Sequence, residues 1–208
     1  LKKRPDRLEK IKESFKKIHY SNYEIIEAID GDTINENIVK KNPRFAPQHW
    51  NKYALGLVRT FQKILEKQKK SNSEYFFVFE DDIYFIENAK ELFKQYVYDL
   101  PKDCEILKFS AAYNIVNELY TSNNLYYVQK SAGTYAMMLN SKSVSKILEK
   151  VQVQDTPLDD ALFGFNTYVF YPGLALPTEC FSNITQKKEN YNTNNIYYKN
   201  PRIDKLME

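Results

Sequence analysis

Glu80, Asp81 and Asp82 directly follow the apolar run Tyr75-Phe76-Phe77-Val78-Phe79. The run is aromatic and β-branched, which reads as a buried strand. Carboxylates crowded at a strand exit repel one another unless a cation lies among them. Open α/β sheets bind ligands at the carboxyl ends of their strands. The segment therefore reads either as a hard-cation site or as an acidic loop capping the next helix. Other reactive groups are few. His19 sits at a helix end and His49 beside Trp50 in a loop, and no other histidine exists. Cys104 and Cys180 are too few for a disulfide scaffold and lack metal spacing. Cys104 reads as a small, half-buried apolar residue. Five glycines leave no Walker loop and no dinucleotide fingerprint.

The elements that must hold the triplet are legible from periodicity. Pro5 suits a first helical position, and Leu8, Ile11, Phe15 and Ile18 continue a helix over 5–18. Tyr23 to Ile29 reads as a strand, closed by an Asp30-Gly31 turn. A short helix and an irregular loop fill Asp32 to Lys52. Leu55, Val58, Phe61, Ile64 and Leu65 define a helix from Lys52 to Lys69. After the 75–79 strand, Asn88 caps a helix to Leu100. Strands follow at Glu105–Phe109, Tyr126–Gln129, Thr134–Leu139 and Thr167–Tyr171, with a turn at Asn123-Asn124. Ser141 caps a helix to Val151, and Asp155 to Gly164 is a loop leading into a short helix. Alternating strands and helices imply a largely parallel sheet in the first half, with antiparallel strands mixed in later.

At 208 residues, 43% hydrophobic and 27% charged, the chain fits one soluble domain. No run has the length of a membrane helix. A net charge of +3 is too small to point to nucleic acid. Cytoplasm is the expected compartment; an organelle lumen stays open because the chain begins at Leu1 and not at Met. Asn183-Ile184-Thr185 is a sequon of the kind that arises by chance in an Asn-rich chain.

Arg4-Pro5-Asp6-Arg7, Ile29-Asp30-Gly31, the Tyr53–Glu66 helix and Phe79-Glu80-Asp81-Asp82 occur in that order. Gly133-Thr134-Tyr135-Ala136, Pro157-Leu158-Asp159 and Ser182-Asn183-Ile184 follow. Together they resemble glycosyltransferase family 25, the bacterial lipopolysaccharide and animal collagen galactosyltransferases. The resemblance implies an α/β, GT-A type single domain. A Rossmann-like donor-nucleotide half (1–110) and an acceptor half (111–184) would share a mixed sheet, with a polar tail at 185–208. It also implies a UDP-sugar donor, a divalent metal (manganese or magnesium), inversion at the anomeric carbon, and a glycan or hydroxylated protein as acceptor.

Residue by residue, the resemblance makes Asp82 the first metal ligand, with Glu80 and Asp81 as partners that also contact the donor. Arg4, Arg7, Asp30 and Gly31 become candidates for the nucleotide; otherwise they are first-turn charges and a plain turn. Asp159, with Asp160 second and Glu179 third, becomes the candidate base; otherwise both aspartates serve a helix N-terminus. Tyr113, Tyr126, Tyr127 and Tyr135 are stacking faces for a sugar or ordinary packing. Two departures stand out. The family's Ser-His is absent from the helix carrying Gly56 to Arg59, so Arg59 or Lys63 is left to face the phosphates, or both are solvated. Almost no chain precedes Arg4, where the family has a strand. A non-catalytic carbohydrate-binding or structural protein on the same fold is therefore the competing reading. A metal-dependent phosphoryl-transfer enzyme is a third, which needs more acids at neighbouring strand exits than Asp30 supplies.

Overall fold

The computed structural model describes residues 2–122, 124–178, 180–182, 184–185, 187–189 and 197–199. Pro5 opens α1 (Pro5–Lys17), whose stripe buries Ile11 and Phe15. Asn51 caps α2 (Lys52–Gln68) by accepting from the Tyr53 and Ala54 amides. β1 (Tyr75–Phe79) and β2 (Ile83–Phe85) flank the acidic triplet. α3 (Ala89–Tyr96), β3 (Ile106–Lys108), β4 (Tyr113–Ser122), β5 (Leu125–Ala132) and β6 (Ala136–Asn140) follow. Then come α4 (Val144–Val151), α5 (Leu158–Ala161), β7 (Thr167–Phe170), β8 (Ala175–Pro177), β9 (Cys180–Ser182), β10 (Lys187–Glu189) and β11 (Tyr197–Lys199).

The main sheet among the described residues runs β1-β6-β3-β7-β5-β4-β11. β6 is antiparallel to both β1 and β3, while β3 pairs with β7 in parallel. The expectation of a largely parallel first half is thus corrected. β1 and β3 do point the same way, but a strand from the second half lies between them. Side-chain alternation sorts the core into two layers. Ile106, Met137 and Leu139 face α2, α4 and α5, whereas Leu107, Ala136 and Met138 face the α1 side. Each large side chain buried in this way contributes about 1.5–3 kcal/mol.

Three local expectations also change. Tyr23–Ile29 forms no strand. The Ile29 amide donates to Thr60 Oγ1 on α2 (2.9 Å) instead of to a ladder, and Ile25 is 55% exposed. Asn88 has φ 58° and no side-chain cap bond, so α3 starts without a side-chain cap; after Tyr96 it passes into a 3-10 turn at Val97–Asp99 that stops at Leu100. Asn140, not Ser141, caps the turn before α4 by accepting from the Lys142 amide. Cys104 is buried, and burial pushes its thiol up to about 12, as suits an inert packing residue. No helix among the described residues is long and apolar enough to cross a membrane.

Candidate active site

The ladder between β1 and β6 runs out at Phe79–Ala136, and the Glu80 amide donates to the Tyr135 carbonyl (2.8 Å) one step further. The chain then turns out of the sheet at Asp81-Asp82, beyond the carboxyl end of β1. Thr134 Oγ1 donates to Glu80 Oε1 (3.0 Å). From α1, one guanidinium nitrogen of Arg7 reaches both Asp81 Oδ1 and Asp82 Oδ2 at 3.1 Å. Arg7 is 8% exposed, so its charge needs these partners. The Thr178 amide and hydroxyl both donate to the Asp82 carbonyl, which ties the end of β8 to the same corner. Burial pushes the Glu80 carboxyl up to about 8, and the nearby Asp82 charge pushes the same way; the Thr134 bond opposes them.

A second carboxylate is held one residue away. The Gly133 amide donates to Asp159 Oδ1 (2.9 Å), while its neighbour Thr134 holds Glu80. Gly133 has φ 96°, and a Cβ there would lie 2.6 Å from the Tyr135 ring, so glycine is required. Burial raises the Asp159 pKa, Lys108 pulls it back, and the Asp159 charge in turn adds to the rise at Glu80. Lys108 went unread in the sequence. Its visible signal is a lone lysine within Ile106-Leu107-Lys108-Phe109. It is 1% exposed, donates to the Ser131 carbonyl (2.8 Å), and burial lowers its pKa to about 8.

Among the other sequence candidates, Tyr135 and Asp160 adjoin these corners, and the rest of the described ones are engaged elsewhere. Asp160 looks out from α5 into a cleft of about 510 Å³, also lined by Arg44, Lys146, Lys150 and Phe163. Burial raises its pKa, and the charges of Arg44, Lys130 and His49 oppose that. Arg4 pairs with Asp6, and Asp30 with Lys3. Asp30 also caps a 3-10 turn at Gly31–Thr33. Gly31 is a packing glycine, since a Cβ there would stand 2.8 Å from the Tyr53 Cα. Arg59 donates to Gln154, and Lys63 reaches the Glu27 carbonyl. Tyr126 meets the Tyr171 ring and Tyr127 the Tyr168 ring, while Tyr135 is buried. Glu179, Asn183 and the Tyr113 side chain lie outside the described residues.

The oxygen-only donor set of the triplet suits a hard cation such as magnesium or manganese over zinc. Among the described residues no three His, Cys, Asp or Glu side chains converge as a metal-binding group. Glu80 and Asp82 repel each other, so a shared cation would relieve them. Two carboxylates suffice where substrate phosphates and water complete the shell.

No curated protein matches the chain. The model of glycosyltransferase family 25 (LPS biosynthesis protein) matches residues 1–176, a span that carries both carboxylate corners and strands β1 to β7. The chain therefore belongs to glycosyltransferase family 25 and is a glycosyltransferase.

Proposed function

We propose that the enzyme moves a hexose, galactose or glucose, from a UDP-sugar to a hydroxyl of a glycan or protein, with inversion and with a divalent metal. The observation that carries this reading is the pairing of Glu80 and Asp159 on the adjacent residues Thr134 and Gly133. On this reading, Glu80 would serve the diphosphate side and Asp159 the acceptor side. Asp82 and Glu80, with Asp81, would hold manganese or magnesium, which when bound stabilises the charge of a leaving diphosphate. Arg7 keeps the Asp81 and Asp82 carboxylates turned to one side. The acceptor oxygen attacks the anomeric carbon from the face opposite the diphosphate. The bond from that carbon to the phosphate oxygen breaks, and its electron pair leaves with UDP. The hydroxyl proton passes to Asp159, whose second oxygen is fixed by the Gly133 amide. Asp160, in the open cleft, is the second candidate base. Arg4, Asp30 and Gly31 remain nucleotide candidates by resemblance; Arg59 is engaged with Gln154 instead.

The test is a screen of UDP-sugars with manganese and glycan acceptors, reading UDP release. Turnover is expected with UDP-galactose or UDP-glucose. Asp82→Ala should lose about a hundredfold or more, and Asp159→Asn about 10²–10⁴-fold in kcat. Wild-type turnover in Asp82→Ala overturns the metal assignment. Turnover with another nucleotide's sugars alone overturns the donor.

A further inference from the structure

Lys108 is among the largest fully buried side chains of the described residues, and the mechanism above gives it no task. A buried ammonium is expensive unless an opposite charge and hydrogen bonds compensate it. Its bond to the Ser131 carbonyl supplies one acceptor but no charge. Asn114 and Ser131 stand opposite each other on β4 and β5 and are both buried. Their side chains are neutral and make no hydrogen bond among the described residues. The carboxylate acting on Lys108 is Asp159, on the helix packed over this face. Asp159 is faced in turn by Lys108 from β3, by Asp160 on its own helix, and by Glu80 beyond β1. Two of these three neighbours are acids that would push it away.

The geometry is a bracket around one corner of chain. Lys108 grips the corner at the Ser131 carbonyl, and Asp159 grips it two residues on at the Gly133 amide. We propose that Lys108 is a positioning residue for sugar transfer: its buried ammonium is the counter-charge that holds the Asp159 carboxylate at the Gly133 amide, against Glu80 and Asp160. The proposal rests on the reading of Asp159 as the proton acceptor. On this reading Lys108 acts through Asp159 and not on donor or acceptor directly.

The test is a double-mutant cycle of Lys108→Met, Asp159→Asn and the pair, by thermal unfolding without ligands and by steady-state kinetics. Met matches the lysine stem, and Asn keeps an acceptor for the Gly133 amide. Lys108→Met alone leaves Asp159 buried without its counter-charge and should lower the melting temperature by roughly 5–15 °C. The double variant should melt close to Asp159→Asn. In kinetics, Lys108→Met should lower kcat about tenfold or more while the donor KM changes little, and should cause no further loss when added to Asp159→Asn. Additive losses in either readout, a double variant that fails to fold, or wild-type kcat in Lys108→Met overturns the proposal. Wild-type kcat in Asp159→Asn instead overturns the base reading, and the unfolding cycle then still decides whether the two side chains are coupled.

Discussion

Glu80 is a carboxyl whose surroundings favour its proton. Burial and the Asp82 charge raise it from an ordinary carboxylate value to about 8. The folded state therefore binds this proton more tightly than the unfolded one. The stability it contributes is full below the unfolded value near 4.5 and is lost as pH rises towards 8. Metal-free protein should melt at falling temperatures across that window, and Glu80→Gln should flatten the slope. Saturating manganese should flatten it too, because a bound cation favours the carboxylate. Melting curves at several pH values, with and without metal, check both. Arg7 carries the complementary prediction. Its nitrogen bridges Asp81 and Asp82 while nearly buried, so Arg7→Met strands two repelling acids and should cost about 1–3 kcal/mol by urea unfolding. The Arg7→Met loss should shrink when Asp81→Asn is added. The triplet was legible in the sequence because acids interrupt an apolar run. Lys108 was not, since one lysine in a strand of three reads as solvated until its neighbours on both sides prove buried.

At the scale of elements, the 29–31 segment packs closely against α2. A Cβ on Gly56 would sit 2.7 Å from the Ile29 carbonyl oxygen, and one on Gly31 would strike Tyr53. Gly56→Ala pits two effects against each other. Alanine gains about 1 kcal/mol of helix propensity. The clash is with backbone that the Ile29–Thr60 bond pins in place, and overpacking costs about 1–3 kcal/mol. The clash should win, so chemical denaturation should find Gly56→Ala destabilised, by up to about 2 kcal/mol. An exposed helix glycine would show the opposite sign. The same contact explains why Tyr23–Ile29 misleads as sequence. Its β-branched pair promises a strand, but the backbone is satisfied by a threonine on a helix, a partner that no local pattern reveals. α1 and α2 were legible because their stripes face the core at helical period. Asn88 and Ser141 misled because a capping residue type does not fix the backbone angle that capping needs.

At the scale of the whole molecule, the two halves read from the sequence share one sheet: β6 and β7 from the second are woven against β1 and β3 from the first. Long-range pairing of this kind is invisible to periodicity, which fixes the face of a strand but not its neighbour. The weave brings Gly133 and Thr134 onto Asp159 and Glu80, so the site is built from segments far apart in sequence. A ligand spanning them should stabilise the entire fold cooperatively. Binding stabilises by about 2.7 kcal/mol at a hundred times Kd. Each kcal/mol is worth roughly 2–4 °C for a chain of this size. UDP and manganese together should therefore raise the melting temperature by roughly 5–10 °C, more than the sum of the two added singly, because under the proposed function the diphosphate would complete the metal shell. Asp82→Ala should abolish the excess over that sum while leaving a small response to UDP alone. Strictly additive shifts in the wild-type protein would mean that metal and diphosphate do not meet at the triplet, and the donor-side half of the proposed function would fall with them.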